Sequence, residues 1–313
     1  MPPWLIAAGG DKEPRRHGDT VYICRQLHTK QTMKLAQKLA LNYIRAKLNI
    51  IAVVSKRKAA KKAFELFCTP FRKQKKYNPP VFNKGEKLSF ELDGLTIRGQ
   101  RWNHHHTQKV LIIHGFESNS KNFDRYIVPL IRNGYEVVAF DAPAHGRSDG
   151  KQLNLPLYVK SIRQVYHLYG PFQSYLSHSF GGLALSHFLE TIPTDNTIKT
   201  VLIAPATETT TAIDSFFRMV DLDKEVRKEF DKIIYEKGGV WPDHYSIRRA
   251  MKNINTSVLW LHDEDDDVTP ISDVLKLKEE NPPNIEFVFT KGLGHRRIYR
   301  DNAVVKRILD FFS

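Results

Sequence analysis

Residues 177–182 read Ser-His-Ser-Phe-Gly-Gly, between an apolar run, Phe172 to Leu176, and a helix-like run, Leu183 to Glu190. A serine between a strand and a helix, with glycine two residues on, is the pattern of a sharp strand–turn–helix elbow. Such a turn strains the serine backbone and needs small neighbours, so that the helix can pass close to the strand. It leaves the Ser179 hydroxyl clear of the backbone at a helix N-terminus. The first position of the elbow is ordinarily glycine; here it is Ser177, which is small but carries a Cβ. Taken alone, the hexapeptide also fits a serine in an ordinary polar turn.

Four further stretches narrow the choice. Val110-Leu111-Ile112-Ile113 is a buried-strand run followed by His114-Gly115-Phe116. Val137-Val138-Ala139-Phe140 is followed by Asp141-Ala142-Pro143-Ala144-His145-Gly146-Arg147-Ser148. Val258-Leu259-Trp260-Leu261 is followed by His262-Asp263-Glu264-Asp265-Asp266-Asp267-Val268-Thr269-Pro270, and Gly292-Leu293-Gly294-His295 lies near the C-terminus. In chain order this is serine, then acid, then histidine. Over most of residues 85–313 the set resembles the α/β-hydrolase superfamily. It is similar in particular to a bacterial subgroup, mostly of undefined substrate. The likeness rests on Leu66-Phe67-Cys68-Thr69-Pro70, His114-Gly115-Phe116-Glu117, Asp141 to Gly146 and Gly292-Leu293-Gly294-His295-Arg296-Arg297. Many members have Trp where Phe116 stands and Gly where Ser177 stands; neither difference removes a catalytic group.

A serine hydroxyl needs a base within hydrogen-bond reach, and His295, in a loop beyond the last predicted strand, is the candidate. A carboxylate must then hold the imidazole in the right tautomer. The spacing in the family selects Asp266, four residues before Pro270, with Asp265 and Asp267 left open by register. The backbone N–H groups of Phe116 and Phe180 are the expected donors to an oxyanion. What the resemblance implies is a serine hydrolase cleaving carboxylic esters of short to medium acyl chain through an acyl-enzyme, with no cofactor. Thioesterase, acyl-homoserine lactonase and peptidase activities share the same groups. A membrane-associated acyl-binding protein without turnover is the alternative of another class. The remaining histidines read as structural: His114 as a brace for the oxyanion loop, His145 and His178 as hydrogen-bonding groups in turns. His104-His105-His106 reads as an exposed turn with no accompanying carboxylate, so no metal site is expected.

Around this body the chain is uneven. The net charge is +14, yet residues 33–78 hold thirteen Lys or Arg against one acid, Glu65, and residues 79–313 are balanced. The basic character therefore belongs to an arm, not to a nucleic-acid-binding surface on the body. From Met33 to Phe67 the apolar positions Leu35, Leu39, Ile44, Leu48, Ala59, Ala63 and Leu66 recur at helical spacing. This predicts a helical arm, either packed on the hydrolase body or held peripherally on an anionic membrane through residues such as Leu48, Ile51 and Val54. A nucleic-acid tail fits poorly, because stacking aromatics are missing from it. Residues 1–32 lack periodicity and read as an irregular extension upstream of a native start at Met33. Two cysteines, Cys24 and Cys68, make no disulfide framework and point to a reducing, cytoplasmic setting.

Pro79-Pro80 opens residues 79–313, the predicted α/β-hydrolase domain. A hairpin is expected over Lys87 to Leu92 and Leu95 to Trp102, turning at Asp93-Gly94. Strands near 109–113, 135–140, 172–177, 199–204, 257–262 and 285–289 then alternate with helices near 121–132, 157–168, 180–191, 271–279 and 301–312. That alternation predicts a mostly parallel sheet covered on both faces. The stretch from about 207 to 256 is too long for a loop and reads as a helical cap. Within it, Phe216, Phe217, Met219 and Val220 are candidates to line an acyl pocket, or else to hold the cap on the body. Oligomeric state has no sequence signature here.

Overall fold

The computed structural model describes residues 35–71 and 78–313; the expectation for residues 1–32 lies outside them. Two helices come first, α1 (Leu35–Val54) and α2 (Lys56–Phe67), and a hairpin follows, β1 (Glu86–Leu92) and β2 (Leu95–Trp102). Strands and helices then alternate: β3 (Lys109–Ile113), α3 (Asp124–Arg132), β4 (Glu136–Phe140), α4 (Leu155–Tyr169), β5 (Ser174–His178), α5 (Phe180–Leu189) and β6 (Lys199–Ile203). An insertion carries α6 (Thr209–Val220), α7 (Lys224–Gly238) and the one-turn α8 (Ile247–Ala250). The chain closes with β7 (Ser257–Asp263), α9 (Ile271–Glu279), β8 (Ile285–Thr290), the one-turn α10 (Gly294–Arg297) and α11 (Asn302–Phe312).

The eight strands form one sheet in the order β1-β2-β4-β3-β5-β6-β7-β8. The pairs β1–β2 and β2–β4 are antiparallel and all the others parallel. Asp93 and Gly94 both have positive φ, 51° and 75°, as a two-residue hairpin turn requires. Side chains alternate across each strand. Leu111, Ile113, Val138 and Tyr175 pack with α4 and α5 on one face, against Tyr158, Ile162 and Leu185. Val110, Ile112, Val137 and Leu176 pack with α3 and α11 on the other, against Tyr126, Ile127, Leu130 and Ile308. Covering on both faces explains why β3 to β7 read as near-continuous apolar runs. This is the α/β-hydrolase architecture expected from the sequence.

The arm does not lie on the sheet. It packs on the cap, where α2 meets α7 and α1 meets α6. Ala59, Ala60 and Ala63 are fully buried, and their small side chains bring α2 close to α7. Phe64 meets Phe230 with ring centroids 5.6 Å apart, and Phe67 meets Phe216 at 5.2 Å. At the rim Lys56 pairs with Asp223 at 2.6 Å, Arg57 pairs with Glu229 and Glu236, and the Arg45 Nε–H donates to the Met219 carbonyl at 2.8 Å. One helical pattern from Met33 to Phe67 is in fact two helices within the described residues. Ser55 breaks them, extended at φ −160°, with its hydroxyl accepting from the Lys58 N–H. Within α1 itself Leu35 and Leu39 lie on the face opposite Leu48, so Leu48 is buried while they are exposed.

Candidate active site

Ser179 sits between β5 and α5 with φ 55° and ψ −125°. A non-glycine residue there costs on the order of 1–3 kcal/mol, which the packed strand and helix must offset. Close approach is what the motif's glycines allow. A Cβ on Gly181 would lie 2.4 Å from the His114 carbonyl oxygen, and one on Gly115 2.9 Å from the Ser179 Cβ. The loop after β3 is thereby pressed against the serine. Ser177 is accommodated because its hydroxyl, buried in β5, donates to the Val201 carbonyl at 3.1 Å.

The sequence-selected residues converge. The Ser179 hydroxyl lies 2.9 Å from His295 Nε2, and His295 Nδ1 lies 2.8 Å from Asp266 Oδ2. All three side chains are buried. With Nδ1 protonated toward the carboxylate, Nε2 is free to accept from the serine. His295 is on the one-turn helix α10 rather than in an open loop. Asp266 Oδ1 accepts from the Val268 and Thr269 N–H groups, each at 2.8 Å, and Oδ2 accepts from the Thr269 hydroxyl at 2.9 Å. Burial pushes this carboxyl up, but the bond to His295 and the Thr269 N–H outweigh it and hold the group at about 2. Asp265 and Asp267 are exposed, and Asp265 accepts from the Gly292 N–H instead. Of the three acids in this register, Asp266 is the one that the structure places within hydrogen-bond distance of His295.

Two supports were not visible in the sequence reading. Thr269 holds the acid, as above. Asp263, at the end of β7, accepts from the N–H groups of Leu293 and Gly294 at 3.0 and 2.9 Å and from the Thr290 hydroxyl at 2.7 Å, pinning the segment that carries His295. Its position as the last residue of an apolar strand, just before the acidic run, was the available signal.

Phe116 and Phe180 flank Ser179 on the cavity wall, with their rings edge to face at 5.9 Å. Phe180 opens α5, so its N–H belongs to the first turn, where no intrahelical acceptor exists. His114 braces the adjoining loop: its Nδ1–H donates to the Gly115 carbonyl at 2.8 Å, and Nε2 accepts from the Ala142 N–H at 2.9 Å. His145 Nε2 accepts from the Glu117 N–H at 2.9 Å, and burial pushes this ring down to about 3. His178 donates to the His295 carbonyl at 3.0 Å and is likewise pushed by burial to about 3. These rings are neutral braces. The turn at residues 104–106 does have a carboxylate beside it, contrary to the sequence reading. Glu136, buried on β4, lies 3.0 Å from His104 Nδ1 and accepts from the His105 N–H at 3.2 Å. The acid comes from a neighbouring strand, beyond the reach of local spacing. Among the described residues no group of three or more His, Cys, Asp or Glu is arranged to hold a metal.

A cavity of about 180 Å³ opens onto Ser179 and His295. The body contributes Phe116, Phe180 and Leu183 to its wall, and the cap contributes Ala212, Ile234 and Tyr245. The arm supplies Phe64, Phe67 and Cys68. Burial pushes the Cys68 thiol up to about 12, so this sulfur is an inert apolar wall. Phe216, Phe217, Met219 and Val220 do not line the cavity, which corrects the pocket assignment. Phe216, Phe217 and Val220 are buried in the layer between cap and arm, and Met219 packs against its edge. Their helical face turns toward the arm, where α6 meets α1 and Phe216 meets Phe67, a partner that the insertion's own sequence does not reveal.

Residues 104–236 match the family described as serine aminopeptidase, S33. A serine hydrolase-like protein of Danio rerio is 37% identical over 102 residues, covering 31% of this chain and 31% of that protein. A bifunctional esterase/perhydrolase of Acinetobacter calcoaceticus is 23% identical over 252 residues, covering 65% of this chain and 90% of its own. Among solved structures, an esterase of Pyrococcus furiosus superposes with a TM-score of 0.58 at 17% identity, over 78% of this chain and 95% of that one. The chain spans about a third of the length of the first three curated relatives it matches: 31%, 38% and 35%. In fold the chain is similar to α/β-hydrolases of known structure. The proteins it is similar to carry the names of serine hydrolases and esterases.

Proposed function

We propose that the chain hydrolyses carboxylic esters of short to medium acyl chain through an acyl-enzyme on Ser179. The reading is carried by one observation: the hydrogen-bonded series Ser179–His295–Asp266 ends at an apolar cavity. Ser179 Oγ attacks the ester carbonyl as His295 Nε2 takes its proton, and Asp266 stabilises the imidazolium. The N–H groups of Phe116 and Phe180 meet the oxyanion. His295 then protonates the departing alcohol, and water, activated by the same ring, releases the acid. The cavity of about 180 Å³ and its phenylalanine walls suit a short to medium acyl chain.

The test is a panel of p-nitrophenyl esters from acetate to palmitate, with a thioester and a lactone alongside, run on wild type and Ser179→Ala. Hydrolysis is expected to peak below the long-chain esters and to vanish in the variant. A folded Ser179→Ala protein with near wild-type turnover removes the nucleophile. A maximum at palmitate with activation at an oil–water interface overturns the chain-length reading. A higher kcat/KM for the thioester or lactone moves the substrate class.

A further inference from the structure

Helix α1 is apolar on two opposite faces. One face, with Leu41, Leu48 and Ala52, is buried. The other is bare: Leu35 is 73% exposed, Leu39 61%, Tyr43 67%, Ile50 68%, Val53 87% and Val54 77%. Elsewhere among the described residues no large apolar side chain is more than 48% exposed. At about 100° per residue, the six fall in a sector about 100° wide running the length of the helix. A continuous stripe of this kind is a docking surface, whereas singly scattered exposed side chains are not. Lys47 borders the stripe on one side and Lys38 on the other. Both are exposed, and among the described residues neither has an ion pair. Lys58 and Lys61 on α2 are exposed in the same way, while Lys56 and Arg57 are taken up by cap carboxylates.

We infer that this stripe is the site at which the protein docks on an anionic lipid surface, with α1 lying in the plane of the interface. The occupant follows from charge. Lys38 and Lys47 flank the stripe with charge that complements acidic headgroups, and in sequence the arm carries thirteen basic residues against one acid between positions 33 and 78. A second copy fits badly, because meeting face to face would bring two such arms together. The residues that enter the lipid differ from those the sequence pattern suggested. Leu48 is buried in the arm–cap layer and Ile51 is half-buried, and of that trio only Val54 belongs to the stripe. Docking here leaves α2 free to wall the cavity. The inference stands apart from ester hydrolysis, since it requires no turnover.

The experiment is co-sedimentation of the full chain with phosphatidylcholine vesicles, with and without phosphatidylglycerol, at low and high salt. The comparison variant is Leu39→Ser/Tyr43→Ser/Val53→Ser. Wild type is expected to bind the anionic vesicles, and less so at high salt. The triple variant, which touches no packed or catalytic group, is expected to lose at least about tenfold in binding while its circular dichroism and soluble-ester turnover are unchanged. A second variant, Lys38→Gln/Lys47→Gln, should weaken binding to anionic vesicles and flatten the salt dependence. Wild type remaining unbound at low salt overturns the inference. So does a triple variant that binds like wild type, which would leave only diffuse charge attraction. Self-association of the wild type that the triple variant abolishes makes the stripe a contact between copies, and likewise overturns it.

Discussion

The sheet body and the arm–cap layer meet over Ser179, and they are held together by different means. In the body, β3 to β7 bury nearly every side chain because helices cover both faces. Its charges sum to zero, and its loops are fixed by buried hydrogen bonds such as those of Asp263 and Asp141 to backbone N–H groups. The arm–cap layer is four helices joined by small residues, a cluster of phenylalanines and ion pairs at the rim. It is strongly basic, and one of its helices turns an apolar face outward. In the proposed reaction, body geometry sets where protons move and the arm–cap layer shapes what reaches the serine. Breaking each layer should therefore produce a different kind of loss.

The largest effect belongs to the body. His295→Ala should lose at least about 10³-fold in kcat, because members of a hydrogen-bonded set act as a unit. Asp266→Asn should approach that loss, while Asp265→Asn and Asp267→Asn stay within a few-fold of wild type. Steady-state kinetics on p-nitrophenyl acetate measure all four. Equal losses at Asp265 and Asp266 would mean that the acidic loop exchanges carboxylates at His295.

The next effect belongs to the other layer and is one of stability. Phe216 is fully buried against Phe67, Phe217 and Phe230. Phe216→Ala should cost about 3–5 kcal/mol in denaturant unfolding. Molecules that remain folded should keep kcat on acetate within a few-fold, because no Phe216 atom lines the cavity. A triad-sized loss of kcat with unchanged stability would show that the two layers are not separable in this way.

A smaller effect distinguishes them by pH. Asp266 is held at about 2 against an ordinary 3.8. A carboxyl depressed on folding adds stability that is fully present above its unfolded value and is lost as pH falls through the folded one. The gap is worth on the order of 2 kcal/mol, withdrawn between roughly pH 4 and pH 2. Unfolding midpoints measured across that window should fall less steeply in Asp266→Asn than in wild type. Matching slopes would place the acid sensitivity on other carboxyls.

What was legible in the sequence follows the same division. The body could be read because covering on both faces writes each strand as an apolar run, and because the elbow and the loops after β3 and β7 carry short-range signatures. The structure then brings Ser179, His295 and Asp266 together, although they are 29 and 116 positions apart along the chain. The arm–cap layer was legible only as helices. Which face of each is buried depends on a partner distant in sequence: Phe216 faces α2, and Phe67 faces both α6 and the cavity. The apolar residues of α1 fall on two opposite faces of one helix, and only contact with the cap decides which of them faces inward. Helical periodicity names a stripe but not its partner, and α1 carries two.

The smallest effect tests the seam itself. Phe67 belongs to the arm, yet it lines the cavity beside Phe180 and touches the Phe216–Phe230 cluster. If the arm is part of the substrate wall, Phe67→Ala should act on acyl length and leave the chemistry of the serine alone. Acetate is too small to reach that wall, so its kcat/KM should stay within a few-fold of wild type. A medium-chain ester such as octanoate loses an apolar partner in both ground and transition states, so its KM should rise about tenfold at nearly constant kcat. Lost packing against Phe216 and Phe230 will lower stability too, so the kinetics are read well below the unfolding transition. A uniform fall in kcat/KM from acetate to octanoate would make Phe67 a structural residue of the arm–cap core, and the division between a layer for chemistry and a layer for selection would not hold at this position.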